Sequence, residues 1–357
     1  MIIIKKVTFF MFLFLWISSC MKPETEDLWS ISIDHLLNTN GYARDVSISN
    51  DIAFIAAGEA GAEIWDLQSS ENPSLLNMLS LNDIGSNKEI SQIYYSSPNK
   101  LLHLLEINER PHLLAIDDSS FSIQQKIGQY GAEDTRDLVI IDSLESFTFL
   151  SVIKSDHILK WYTWAYLYEP YTGTYYWGGI DMDQDIVEEI DVNAIPTSID
   201  HYNNTIVLGV GQLGIQLWQY VGLDIEPNYL ASINLNGTVK SVSIIDENSI
   251  YVARGTNGVT YVPIDGIQID STTNLITNDL SIVDFANDLN VDHVSVYNGI
   301  AVLSLGSKGI ALYDVSDPSS PQEKGIFPIG YVYNAKFWDE KLVVCSREGL
   351  QIISINK

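Results

Sequence analysis

Apolar and polar residues alternate in short bursts along this chain. The clearest bursts lie in residues 290–327, NVDHVSVYNGIAVLSLGSKGIALYDVSDPSSPQEKGIF. Alternation over roughly 4–8 residues marks a strand with one face toward the core. The stretch predicts four strands, at residues 293–296, 300–305, 310–314 and 323–327. Gly306-Ser307-Lys308-Gly309 predicts a tight turn between the second and third, since glycine enters the positive-φ region without a Cβ penalty. No segment sustains the 3.6-residue apolar spacing of a helix, which excludes helical solenoids.

Degraded copies of this unit fill most of the chain. Anchored on the apolar residue that opens the first strand, they start at Val46, Ile93, Leu138, Ile199, Val242, Val294 and Ala335. The anchors lie 47, 45, 61, 43, 52 and 41 residues apart. A polar turn and a second apolar strand follow each anchor. A glycine turn and a third strand come next at Gly61, Gly214, Gly258, Gly309 and Gly349. The second copy has Arg110-Pro111-His112 there, and the third has Lys154-Ser155-Asp156.

A four-stranded repeat of ~40–50 residues is the size of one propeller blade, and such a sheet covers both faces only by stacking on others. The expected fold is all-β, a seven-bladed β-propeller. Six or eight blades are the alternatives, because the second and third copies are weak. The last copy shows three strands. Trp29-Ser30-Ile31-Ser32-Ile33-Asp34 alternates with period 2 and is expected to pair beside residues 350–355, covering the open edge and closing the ring.

The first residues read as an address. Lys5-Lys6, an apolar run over 7–17 and then Ser18-Ser19-Cys20 have the order of a secretory signal. The run is shorter than the ~20 residues that span a bilayer. Ile17-Ser18-Ser19-Cys20 resembles the lipobox of bacterial lipoproteins, and the resemblance implies cleavage before Cys20 and lipidation of its thiol. The division expected is a signal peptide over 1–19, a lipidated tether over 20–27 and the propeller over 28–357. The location implied is the bacterial cell envelope, at the outer membrane or cell surface, with membrane contact through the lipid alone.

Charge narrows the partners. The formal net charge is −27, and residues 1–19 hold two lysines and no acid, so their removal makes the balance more negative. Nucleic acid is excluded as a partner, because phosphates demand lysine and arginine. Solubility is the plain reading of the excess, and attraction of cations, basic proteins or Ca²⁺ the sharper one. Cys345, in the apolar run LVVC, reads as a buried packing thiol.

Residues 310–321, IALYDVSDPSSP, resemble the LVIVD repeat of bacterial surface β-propeller proteins. Asp314-Val315-Ser316-Asp317-Pro318 and Pro321 carry the match. Residues 62–73, AEIWDLQSSENP, match more loosely through Asp66, Asn72 and Pro73. The Asp-Pro loop suits a turn, since proline restricts its predecessor to extended conformations and aspartate bonds its own local backbone. The resemblance implies an exported or cell-surface protein and no shared reaction. Trp65-Asp66 alone does not make a WD40 repeat, whose Gly-His partner is absent.

In a propeller the first strands line the central channel. The positions at and before each strand start give a polar ring: Arg44/Asp45, Ser91/Gln92, Arg136/Asp137, Thr197/Ser198, Lys240/Ser241, Asp292/His293 and Tyr333/Asn334. This funnel mouth is the first candidate for a binding face, with Asp45, Arg136, Asp137, Lys240, Asp292, His293 and Asn334 as candidate ligand contacts. A solvated mouth that binds only water is the plain alternative.

The second candidate is the insertion WYTWAYLYEPYTGTYYW at 161–177, which reads as two aromatic strands around a turn at 169–173. Alternation puts Trp164, Tyr166 and Tyr168 on one face, a surface suited to a glycan or protein. The plain alternative packs them on the next blade.

No cofactor is expected. Asp45, Asp137, Asp292 and His293 offer ligands for a metal such as Ca²⁺, but no close-spaced motif supports one. Asp181-Met182-Asp183-Gln184-Asp185 lacks the glycine and glutamate that complete a Ca²⁺ loop. Gly-x-Ser-x-Gly, His-Glu-x-x-His and phosphate-loop motifs are absent. The leading expectation is a non-enzymatic, monomeric envelope scaffold that binds a protein or glycan. The alternative is a metal-dependent hydrolase working in the channel.

Overall fold

The computed structural model describes residues 28–68, 72–154, 156–180 and 188–357. The leader, Cys20, the tether at 20–27 and the carboxylates at 181–185 lie outside the described residues.

Among the described residues there are seven antiparallel sheets, six of four strands and one of five. Their inner strands are Asp45–Ser49, Ile90–Ser96, Thr135–Ser143, Ser198–Tyr202, Ser241–Asp246, His293–Tyr297 and Val332–Trp338. Each inner strand touches that of the next sheet, and the last touches the first. The fold is therefore a closed seven-bladed β-propeller, and every anchor residue lies on an inner strand. The second strands are the most buried, and Leu101–Glu106 and Ser146–Ile153 are buried at every position, because neighbouring blades cover both faces. The core sits between blades. One cluster joins Ala253, Val259 and Phe285 of the fifth to Ala301, Leu303 and Tyr313 of the sixth. Each fully buried Val, Leu, Ile or Phe in such a cluster stabilises by ~1.5–3 kcal/mol.

Strand Ser30–Leu37 completes the seventh sheet. It runs antiparallel to Gly349–Asn356, with Ile31 opposite Ile355 and Ile33 opposite Ile353. Trp29 N–H donates to the Lys324 carbonyl of the sixth blade at 2.9 Å. Leu37 joins Val46, Ile55, Val343, Cys345 and Ile352 in the cluster between the seventh and first blades. Cys345 is a buried free thiol. Residue 30 pairs with the end of the chain's last strand, so residue 28 emerges on the face that holds the first-to-second turns. The inner strands start on the opposite face.

The repeated glycine before the third strand does more than turn the chain. A Cβ at Gly61, Gly214, Gly309 or Gly349 would lie 2.0–2.2 Å from the carbonyl oxygen of Leu79, Ile233, Phe327 or Leu37. The fourth strand, or Ser30–Leu37 in its place, thus ends directly over the turn. The second blade lacks this glycine and instead pairs Glu106 Oε2 with His112 Nε2 at 2.8 Å.

Two residues after the turn glycine, a polar side chain ties blades to their incoming connections. Buried Glu63 accepts from Asn40 N, Asn40 Nδ2 and Trp65 Nε1 at 2.7–2.9 Å. Gln216 donates to Val192 O and Gln351 to Ile329 O, both at 2.9 Å. Trp65 therefore serves this tie.

The third sheet has the fifth strand. Ile158–Glu169 pairs with Glu188–Asp191 through its first residues and with Thr174–Gly179 through its last. The predicted turn is present, with Gly173 N–H donating to Glu169 O at 2.8 Å. The hairpin runs past the end of strand Ser146–Ile153, which pairs only as far as Ala165.

Candidate functional site

All fourteen residues of the predicted polar ring line one cavity of about 580 Å³ on the axis. Counted from each anchor, the preceding residue points into it, and in all blades but the first so does the following one, as period-2 alternation requires. The cavity reaches down to Asp200, His201, Ser243, Ser295 and Lys336, which follow the anchors.

Three carboxylates in this channel, Asp45, Asp137 and Asp200, sew blade to blade. Asp45 Oδ2 accepts from Ile93 N at 3.2 Å, and its Oδ1 accepts from Asn334 Nδ2 and Lys336 Nζ at 2.9 and 2.8 Å. Asp137 Oδ2 accepts from Ile199 N at 3.0 Å, and its Oδ1 from Gln92 Nε2 and Leu138 N at 2.8 and 3.0 Å. Asp200 accepts from Ile244 N at 2.9 Å and His201 N at 2.8 Å. Ser47 Oγ accepts from Tyr95 N at 3.1 Å. The rule is simple. A side chain before the anchor takes the next blade's anchor N–H, and one after the anchor takes the N–H two residues past it. These bonds satisfy inner-strand N–H groups that have no strand partner on the channel side.

Asp45 and Asp137 were expected as ligand contacts, and the structure gives both a tie between blades. Asp200 and Lys336 were missed because the reading stopped at the strand starts. The same alternation, carried two residues further, reaches both. The metal alternative finds no three-ligand group: among the described residues no three His, Cys, Asp or Glu side chains gather closely enough to hold an ion.

Burial dominates the acid–base behaviour of these groups. Desolvation raises Asp200 to about 7 and Asp137 to about 6, against the hydrogen bonds they accept. It lowers His293 to about 4, so the imidazole is neutral at pH 7. In the unfolded chain both aspartates titrate near ~3.9. Between those values the folded state holds more protons than the unfolded one, so this contribution to stability is present below about pH 4 and is lost as pH rises through 6–7. The melting temperature relative to Asp200→Asn should fall between pH 5 and 8. A scan by differential scanning fluorimetry that gave parallel profiles would remove Asp200 from the account.

The far arc of the mouth differs. Ser198, Ser241, His293 and Asn334 are the residues before the anchors in blades four to seven. Among the described residues, buried Ser198 Oγ, Ser241 Oγ, His293 Nδ1 and Asn334 Oδ1 have no hydrogen-bond partner, and neither has the neighbouring Thr197 Oγ1. Arg136, Lys240 and Asp292 stand exposed at the rim. Beside them lies an aromatic rim: the Arg44 guanidinium is 4.3 Å from the Tyr333 ring centre and that of Arg347 is 4.2 Å from Tyr331. Arg44 is also paired with Glu89.

The aromatic hairpin splits at its base. Trp164 lies 6.3 Å from Phe147 and 6.1 Å from Tyr130, centre to centre, and packs on the core between the second and third blades. Tyr166 and Tyr168 continue the same face into solvent, 42% and 55% exposed. There they contact Tyr175 at 5.3 and 5.1 Å. Of the three residues expected as a surface, Trp164 is instead half-buried against the core. Trp164→Ala should cost roughly 2–4 kcal/mol in thermal denaturation, and Tyr168→Ala under about 1. Equal losses would contradict this division.

The Asp-Pro loops are turns. Asp314 Oδ1 accepts from Ser316 N at 3.0 Å, and Asp317 Oδ1 from Ser319 N at 3.0 Å. Both turns fall within residues 288–328, which together with residues 40–82 match the LVIVD repeat model. Two blades of this chain, the first and sixth, match the LVIVD repeat. No curated protein matches the chain. Among solved structures it is similar to the RRP9 WD40 repeats, with 12% identity, 91% of this chain and 97% of that chain covered, and a TM-score of 0.62. It is also similar to U3-55K, with 12% identity, coverages of 93% and 99%, and a TM-score of 0.60. The computationally designed Ika8 protein follows, with 12% identity, coverages of 89% and 98%, and a TM-score of 0.53. At this identity the likeness concerns the propeller fold alone.

Proposed function

We propose that this protein is a lipid-anchored, non-enzymatic scaffold of the bacterial cell envelope that takes a protein or glycan ligand at the channel mouth. The observation that supports it best is the cavity itself, to which all seven blades deliver polar side chains. Its best-placed acids, Asp45, Asp137 and Asp200, are engaged in bonds between blades. That leaves binding groups at the rim rather than a positioned base. The leader pattern ending in Cys20 supports the anchor. Residue 28 leaves the propeller on the face opposite the mouth, so a tether from Cys20 would present the mouth away from the lipid.

Two measurements test this reading. Cys20→Ser should move the protein from the membrane pellet to the soluble fraction of cells, and an unchanged distribution would refute the lipid anchor. Wild-type protein incubated with fractionated envelope polysaccharides and proteins should retain a ligand that Arg136→Glu/Lys240→Glu does not. Equal retention by both would refute the mouth as the binding face.

A further inference from the structure

The channel mouth is built asymmetrically, and the asymmetry names a ligand chemistry. Before the anchors of blades one to three stand Asp45, Gln92 and Asp137, all of them bonded across to neighbouring blades. Before the anchors of blades four to seven stand Ser198, Ser241, His293 and Asn334, each with a buried polar atom that has no partner. Thr197 adds another hydroxyl. Thr197, Ser198 and Ser241 are only 9%, 4% and 9% exposed. A buried polar atom without a partner costs ~1–3 kcal/mol, so five on one arc form a site that gains when hydroxyl groups are delivered to it.

Charge and shape refine the choice. Arg136 and Lys240, in blades three and five, flank Thr197 and Ser198 of blade four. Among the described residues the Arg136 side chain has no salt-bridge or hydrogen-bond partner, and it is exposed at the rim. Arg136 and Lys240 both line the cavity, and a guanidinium and an ammonium facing one cavity suit a carboxylate. At the other end of the arc Tyr333 lines the cavity and is held under Arg44. Its neighbour Tyr42 is 49% exposed. Tyrosine rings of this kind give a flat platform for a sugar ring. A peptide added as a strand fits poorly, because channel-side N–H groups of Ile93, Ile199 and Ile244 are already bonded by the preceding blade's carboxylates.

We infer that the arc from Arg136 to Asn334, with Tyr42 and Tyr333 as its platform, binds the end of an acidic, uronate-bearing glycan. Its carboxylate sits between Arg136 and Lys240, and its hydroxyls reach Thr197, Ser198, Ser241 and Asn334. This rests on the channel mouth being the binding face and narrows the ligand to one class. The protein's overall negative charge opposes such a ligand only weakly. Charges beyond a Debye length of ~8 Å are screened at physiological salt. At the mouth Arg44 and Lys336 are paired with Glu89 and Asp45 and Asp292 stands exposed, so the ligand's carboxylate is directed to Arg136 and Lys240.

The test is isothermal titration of the intact protein with short oligomers of glucuronic and galacturonic acid, set against the neutral glucose and galactose oligomers. Uronate oligomers should bind roughly tenfold or more tightly than the neutral ones, the size expected of a charge-assisted contact. Arg136→Gln should erase that difference, while Ser241→Val should weaken both series alike. Arg136 is exposed, so its variant should melt like wild type, and a matching melt makes its binding result decisive. Equal affinity for acidic and neutral oligomers, no binding of either, or an unchanged preference in Arg136→Gln would overturn the inference. If the mouth retained an envelope protein and ignored the oligomers, the scaffold reading would stand and this assignment would fall.

Discussion

Deletion of residues 28–37 should abolish cooperative unfolding, whereas deletion of 21–27 should leave the transition in place. The shorter deletion stops before the first described residue. The longer one removes strand Ser30–Leu37 and with it every backbone pair on the outer side of Gly349–Asn356. It also takes Leu37 from the cluster between the seventh and first blades, and Trp29 and Ile31 from the one between the sixth and seventh. Leu37 alone is worth ~1.5–3 kcal/mol, and a domain's whole stability is only ~5–15 kcal/mol. The lost strand thus removes a large share of the total. It does so at the seam where the ring closes, so the remaining blades lose their circular support together. Differential scanning calorimetry should show one sharp endotherm for the intact chain and a broad, low one for the truncation. Equal melting of the two truncations would contradict closure by this strand.

Gly309→Val should lower stability by roughly 3–5 kcal/mol, combining the cost of a β-branched residue at positive φ with that of overpacking. Gly309 has φ +85° and a Cβ there would lie 2.0 Å from Phe327 O and 2.8 Å from Ile329 N. Neither atom is a side-chain end that can swing aside. Gly85 provides the control. It closes the short helix Leu81–Ile84 at φ +91° with open space around its Cβ position, so Gly85→Ala should cost only about 1 kcal/mol. Urea denaturation of the two variants separates turn strain from collision. Losses of similar size would mean that the glycine is needed for its dihedral alone.

Much of this architecture was legible because a propeller repeats its physics. The alternation around Val46, Ile199 or Val294 marks an inner strand, and the glycine near residue 309 marks a turn, whichever blade is read. Closure was legible from Ile31 and Ile33, whose spacing has no use except in a half-covered strand. The polar ring followed from the same period, and all of it faces the cavity. What stayed hidden depends on contacts between blades. Nothing local distinguishes Asp45 and Asp137, which bond Ile93 and Ile199 across a gap, from Asp292, which stands exposed at the rim. The pairing of Lys336 with Asp45 was hidden because the two lie far apart along the chain. Trp164 and Tyr168 share one face of one strand. Only the height of the neighbouring strand, which ends near Ala165, decides that the first is packed and the second is not.

Closure of the seven blades by the segment at 30–37 underlies both the fold and the site, because the mouth exists only if the inner strands form a ring. Ser32 and Ser354 are directly paired across that seam. Cysteines placed at both positions should form a disulfide under mild oxidation, read as a peptide joining the two segments by mass spectrometry after proteolysis without reductant. That peptide should be present in monomeric protein and vanish on reduction. If residue 32 instead linked only between separate chains, or not at all while the variant stayed folded, the closed ring would be wrong.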